Sequence, residues 1–241
     1  MHVNELVIIE SLSAEEHHTG TQLHDYLRIA PKITIPVRLI SIATSAQLLN
    51  AITQIADRAR KYNGKWVPLI HLEIHGDTQR RGLVLESGEL LPWNDIADRL
   101  RQLNIVVQNS LVVVLGVCSG AFILTAAVTS PFEPAPFCAA FGPVKPVNGS
   151  LLPDRFYAFY NELFTSGDFI AALNLLRDRT LPEYVGFDTP TLFKIGWRHH
   201  ENNSTNDFTA ADKEKGERLY RHYIMADIYP ENAALFNEDS T

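Results

Sequence analysis

Cysteine is scarce in this chain. Only Cys118 and Cys138 occur among its 241 residues, which excludes a disulfide scaffold and a structural metal site of the four-thiolate type. Long apolar runs are also missing. None approaches the roughly 18 residues that suggest a bilayer span, and His2, Asn4, Glu5 and Glu10 break up the start where a secretory signal would need an uninterrupted apolar stretch. Basic charge is in deficit: 21 Lys and Arg stand against 28 Asp and Glu, for a net charge of -7. The basic residues are scattered, so no cluster is available to displace counterions from a nucleic-acid backbone. Nine histidines are present, but His17 and His18, like His199 and His200, are adjacent pairs that cannot face one site on a regular element. From these absences we expect a cytoplasmic protein with reduced thiols, no membrane or direct nucleic-acid partner, and no metal or other cofactor.

The remaining composition is ordinary for a globular chain, 46% hydrophobic and 20% charged, with ample apolar material for one core. No Gly/Ser linker, internal repeat or low-complexity tract divides it, so a single domain over residues 1–241 is expected. Strand-like runs alternate with helix-like ones. LVIIE from Leu6 is followed by a polar stretch and a short helical piece, VRLISI from Val37 by AQLLNAITQIADRARKY with apolar spacing near 3.6. Next come PLIHLEIHG, a short hairpin GLVLESGELLPW, a helix over about Asn94 to Leu103, the strand SLVVVLGV, a helix after Cys118, and the strand PFCAAFGP. Such alternation predicts an α/β fold with a mostly parallel sheet, helices on both faces and right-handed crossovers.

A helical C-terminal part is expected from about residue 147, with RFYAFYNELFTSG and DFIAALNLLRD as its first helices. The aromatics Phe156, Tyr157, Phe159, Tyr160 and Phe164 recur at the spacing of an amphipathic core helix, with a partner surface as the other use for them. YVGFDTPTLFKIGW looks irregular, Glu201 to Asp207 reads as an exposed polar loop, and ADKEKGERLYRHYIMADIY as a last helix.

Two strand ends carry the chemistry. SLVVVLGVCSG brings a thiol, Cys118, to the carboxyl edge of the sheet, where functional residues of open α/β sheets collect. A thiolate is a strong nucleophile, favoured by a helix amino terminus and a nearby imidazole. Gly116, Ser119 and Gly120 keep the turn tight and allow backbone N–H groups to approach a bound carbonyl, as an oxyanion hole requires. VPLIHLEIHGD brings His75 to the same rim, roughly 40 residues upstream, enough for the hairpin, one helix and a neighbouring strand. Gly76 frees the backbone to turn after it. Glu73 shares its side of the strand and could orient the ring, while Asp77 could influence substrate or imidazole or serve the turn.

An apolar strand ending in His-Gly, a hairpin, an amphipathic helix and an apolar strand ending in Cys with Gly two residues on resembles the caspase-like cysteine peptidases, which include caspases, metacaspases and bacterial CHAT-type proteases. The resemblance spans about Leu6 to Leu176 and is sharp between Ile70 and Gly120. It implies a three-layer sandwich in which Cys118 attacks a peptide carbonyl, His75 handles protons, and the backbone N–H groups of Gly76 and Cys118 hold the oxyanion. It also implies a protein substrate, no essential third carboxylate, and an effector or subunit role in bacterial defence or cell death, with a regulatory or activating protein partner. Gly116 and Val117 depart from the residues that caspases and metacaspases carry before the nucleophile. The acidic pocket of the metacaspase type is therefore not inherited, and the cleavage preference stays open.

Two other readings compete. Gly116-Val117-Cys118-Ser119-Gly120 also fits a G-x-C-x-G nucleophile elbow, similar to class I glutamine amidotransferases and dienelactone hydrolases. There His199, His200 or His222 would serve with Glu201 or Asp227, and HLEIHGD would go unexplained. The last is a caspase-like pseudoenzyme that acts as an interaction module, against which the retention of both His75 and Cys118 argues.

Overall fold

The computed structural model describes residues 3–127, 134–176 and 184–190. Its elements run β1 (Glu5–Ser11), α1 (Thr19–Ile29), β2 (Val37–Ser41), α2 (Ser45–Lys61), β3 (Pro68–Gly76), β4 (Gly82–Val84), β5 (Leu90–Pro92), α3 (Trp93–Val106), β6 (Val112–Leu115), α4 (Ile123–Ala127), β7 (Ala139–Pro143), α5 (Leu152–Ser166), α6 (Phe169–Leu176) and β8 (Tyr184–Asp188). The main sheet has the order β2-β1-β3-β6-β7-β8, and its first five strands are parallel. β8 joins antiparallel to β7, and β4 and β5 form a hairpin that pairs with the far end of β3. This is an α/β fold with a mostly parallel mixed sheet between helices.

Strand alternation distributes the apolar residues between two cores. Val7, Ile9, Ile70, Leu72, Val113 and Leu115 face one side, where they meet α2, α3 and α4. Leu6, Ile8, Leu69, Val112 and Val114 face the other, covered by α1, α5 and α6. α2 starts with a capping box in which Thr44 and Gln47 satisfy each other's backbone N–H groups. α5 starts with Pro153 in its first turn and stops at Gly167, whose φ of 72° is open to a residue without Cβ. The aromatics of α5 lie mainly in the second core, with Phe156, Phe159 and Tyr160 fully buried.

Two expectations change. The segment opening YVGFD is not irregular at its start, because pairing with β7 makes a strand of it despite Gly186 and Asp188, two residues poor in β propensity. Gly186 is required there: a Cβ would lie 2.8 Å from Phe141 Cε1. The helix expected after Cys118 is a 3-10 turn at Gly120–Phe122 followed by the five-residue α4. The polar loop and last helix expected beyond Glu201 lie outside the described residues, as do His199, His200, His222, Glu201 and Asp227.

Candidate active site

β3 and β6 are adjacent and parallel, in a register that places Leu69 opposite Val112 and Leu72 opposite Leu115. Pairing ends there, and His75 and Cys118 each follow three residues further along the chain. The two strand ends approach closely. A Cβ on Gly76 would lie 1.9 Å from the Cys118 carbonyl oxygen and 2.9 Å from its carbon, so only glycine allows the two main chains to meet.

The Cys118 turn is sharp. Ser119 takes a left-handed φ of 56°, its N–H donates to the Lys145 carbonyl at 3.3 Å, and the Gly120 N–H closes back on the Val117 carbonyl at 2.8 Å. The thiol is partly buried and makes a long contact of 3.9 Å with the Val147 carbonyl. Left-handed strain therefore falls on the residue after the cysteine rather than on the cysteine itself, unlike the strained nucleophile of an elbow. Cys138, the other free thiol, sits at the opposite end of the sheet, and its burial and the nearby Asp188 raise its pKa.

Two backbone donors, those of Gly76 and of Cys118 itself, lie next to the thiol. The Asp77 N–H donates to the Gly82 carbonyl at 3.0 Å. Donors alternate direction along an antiparallel ladder, so the Gly76 N–H is directed away from β4 and toward Cys118. Among the described residues the Cys118 N–H donates to no backbone carbonyl.

His75 is half-exposed at the end of β3, and its Nε2 lies 2.6 Å from Glu16 Oε1. Glu16 belongs to the loop between β1 and α1. Its other carboxylate oxygen accepts the Ser13 N–H at 2.8 Å, and this amide bond together with the His75 bond lowers the Glu16 pKa. Residue spacing gave no hint of this partner, since Glu16 lies in a polar stretch without periodicity.

Glu73 does not orient His75. It shares the strand face, as the two-residue period requires, but lies one pleat deeper beneath α1, where burial leaves it 2% exposed. There its carboxylate accepts from His71 Nε2 at 2.9 Å and Thr19 Oγ1 at 2.9 Å. The buried His71 accepts the Tyr160 hydroxyl at Nδ1, 2.7 Å away. Burial first, then the field of Glu73, raises the Tyr160 pKa well above its ordinary value and keeps the hydroxyl a donor. The same carboxylate packs over Gly116, where a Cβ would fall 2.4 Å from Oε1.

Asp77 is taken up by the hairpin rather than by His75 or the thiol. Its carboxylate holds Arg81 through two bonds of 2.8 and 3.1 Å and accepts the Gln79 and Arg81 amides. Arg81 above all pulls its pKa down to about 2.

Among the described residues no three His, Cys, Asp or Glu side chains are placed to hold a metal ion, and no helix is long and apolar enough to cross a membrane. The geometry can present a thiol, an imidazole beside a carboxylate, and backbone donors around one reacting carbonyl. No protein-family model matches the chain, and no curated protein is similar to it.

Proposed function

We propose that the chain is a caspase-like cysteine endopeptidase with the three-layer sandwich of that group, which cleaves a protein substrate through an acyl-thioenzyme. The observation that carries this reading is the juxtaposition of two strand ends: His75 and Cys118 each follow three residues after the last pair of the adjacent strands β3 and β6, Leu72 with Leu115, and Gly76 lies against the Cys118 carbonyl. Cys118 is the nucleophile and His75 the general acid/base. In acylation Sγ bonds to the peptide carbonyl carbon while its proton passes to His75. The imidazolium returns that proton to the leaving amine as the C–N bond breaks, and water then releases the acyl group. Gly76 and Cys118 N–H groups stabilise the oxyanion in both steps. A protein regulator suits a peptidase working among other cellular proteins, and a role in bacterial defence or cell death follows from the family likeness alone.

The test is iodoacetamide labelling of the purified chain with the modified thiol mapped by mass spectrometry, Cys138 serving as the internal reference. Cys118 should label faster than Cys138, and His75→Ala should slow Cys118 alone. Equal rates at the two thiols, unmoved by His75→Ala, would remove the dyad.

A further inference from the structure

We infer that Glu16 is the positioning residue of His75, so that the site works as a Cys-His-Glu triad; this rests on the reading of Cys118 and His75 as nucleophile and acid/base. The resemblance implied no third carboxylate, and the geometry points to one. A carboxylate can only accept, so the 2.6 Å contact requires the Nε2–H of His75 to donate to Glu16 Oε1. With Nε2 carrying the hydrogen, Nδ1 holds the lone pair and is the nitrogen left to receive the thiol proton. When that proton moves from Sγ to Nδ1, the imidazolium forms beside an ionised Glu16.

Glu16 is itself held. Its backbone N–H donates to the Ser13 carbonyl at 3.0 Å while Oε2 accepts the Ser13 N–H at 2.8 Å, closing a tight turn around the carboxylate. Downstream, the loop is tied to the sheet through the buried Glu10. It accepts from His18 at 2.9 Å, from the Thr21 N–H at 3.0 Å and from the Thr21 hydroxyl at 2.8 Å. Half of the His75 side chain is exposed, so packing alone does not fix the ring. The bond to a tethered carboxylate supplies what packing lacks.

The experiment uses two readouts on the full chain, for wild type, Glu16→Ala, Glu16→Gln and His75→Ala. Long-range proton–nitrogen NMR reads which ring nitrogen of His75 carries hydrogen, and iodoacetamide reads the thiol. Wild type should show His75 protonated at Nε2. Glu16→Ala should give a tautomer mixture and slow Cys118 labelling on the order of 10-fold. Glu16→Gln, whose amide oxygen still accepts the Nε2–H, should keep the tautomer and slow labelling less. An unchanged tautomer and a labelling rate within about twofold of wild type in Glu16→Ala would overturn the positioning role. If wild-type Cys118 labels no faster than Cys138 and His75→Ala changes nothing, the dyad fails and the triad's chemistry with it, while the tautomer separately decides whether Glu16 sets the ring.

Discussion

Replacement of Gly116 by alanine should damage both the fold and the site. The added Cβ would lie 2.4 Å from Glu73 Oε1, 2.5 Å from Cδ and 2.7 Å from Oε2. Ordinary non-bonded contact needs about 3.5 Å, so the carboxylate has to retreat by about 1 Å. It has nowhere to go without stretching the 2.9 Å bonds from His71 and Thr19 past useful length. Hydrogen bonds to a charged group are worth about 1.5 to 3 kcal/mol each, and loss of both sets the expected destabilisation at about 3 to 6 kcal/mol. That is a large share of a domain's typical stability of about 5 to 15 kcal/mol. Urea denaturation measures it. The companion double variant Gly116→Ala/Glu73→Ala removes the clash, so the two effects should fall short of additivity by about 3 kcal/mol or more. A Gly116→Ala variant within about 0.5 kcal/mol of wild type, or strict additivity in the cycle, would refute the argument.

Three further outcomes are expected. Gly76→Ala brings a Cβ 1.9 Å from the Cys118 carbonyl oxygen, and because that atom is backbone it cannot swing aside; iodoacetamide labelling of Cys118 should drop by about 10-fold or more, and an unchanged rate would mean that the strand ends are not in contact. Tyr160→Phe leaves the buried His71 Nδ1 without its donor, so thermal or urea unfolding should show a loss of about 1 to 3 kcal/mol; a neutral result would remove Tyr160 from the network. Asp77 is depressed from its ordinary 3.8 to about 2 by Arg81, so the stability it contributes to the hairpin is present above the unfolded value and lost as pH falls through about 2. An NMR titration of its carboxyl carbon should give a midpoint near 2 in the wild type and a midpoint raised toward 3.8 in Arg81→Ala, where the two backbone amides still hold it somewhat down; a wild-type midpoint near 3.8 would break the pairing.

The central strands were legible because burial on both faces writes them as continuous apolar runs: the inner residues of β1, β3 and β6 are all buried. His75 and Cys118 were legible for the same reason, as polar residues at the ends of those runs. β8 was not, because its pairing is imposed by β7 and its own Gly186 and Asp188 argue against a strand. Glu73 shows the limit of a periodic argument. Alternation named its face correctly, but depth along the strand decides its partners, and only the position of α1 sets that depth. His71 pairs with Tyr160 and Glu16 with His75 across long sequence separations. No local spacing encodes either contact.

The polar network also explains how α1 is set on the sheet. Glu10 and Glu73 stand opposite each other in the β1 to β3 register, two buried carboxylates on one face, which is costly unless each is fully bonded. Both are bonded, and chiefly by the start of α1, with His71 completing Glu73: Thr19 serves Glu73, while Thr21 and His18 serve Glu10. α1 has no acidic residue in its own first turn and no side-chain cap at His18. Glu10, coming from the strand, supplies the acceptor that the Thr21 amide needs, with its charge at the positive end of the helix. Gly20 makes the close approach possible, since a Cβ there would lie 3.0 Å from Glu10 Oε1 and 3.2 Å from Glu73 Cβ. The amino end of α1 is thus docked by charge-assisted bonds as well as by apolar packing, and the loop leading into it carries Glu16. The orientation of His75 therefore depends on a chain of polar contacts that begins with two buried acids, and the placement of the imidazole is coupled to how α1 sits on the sheet.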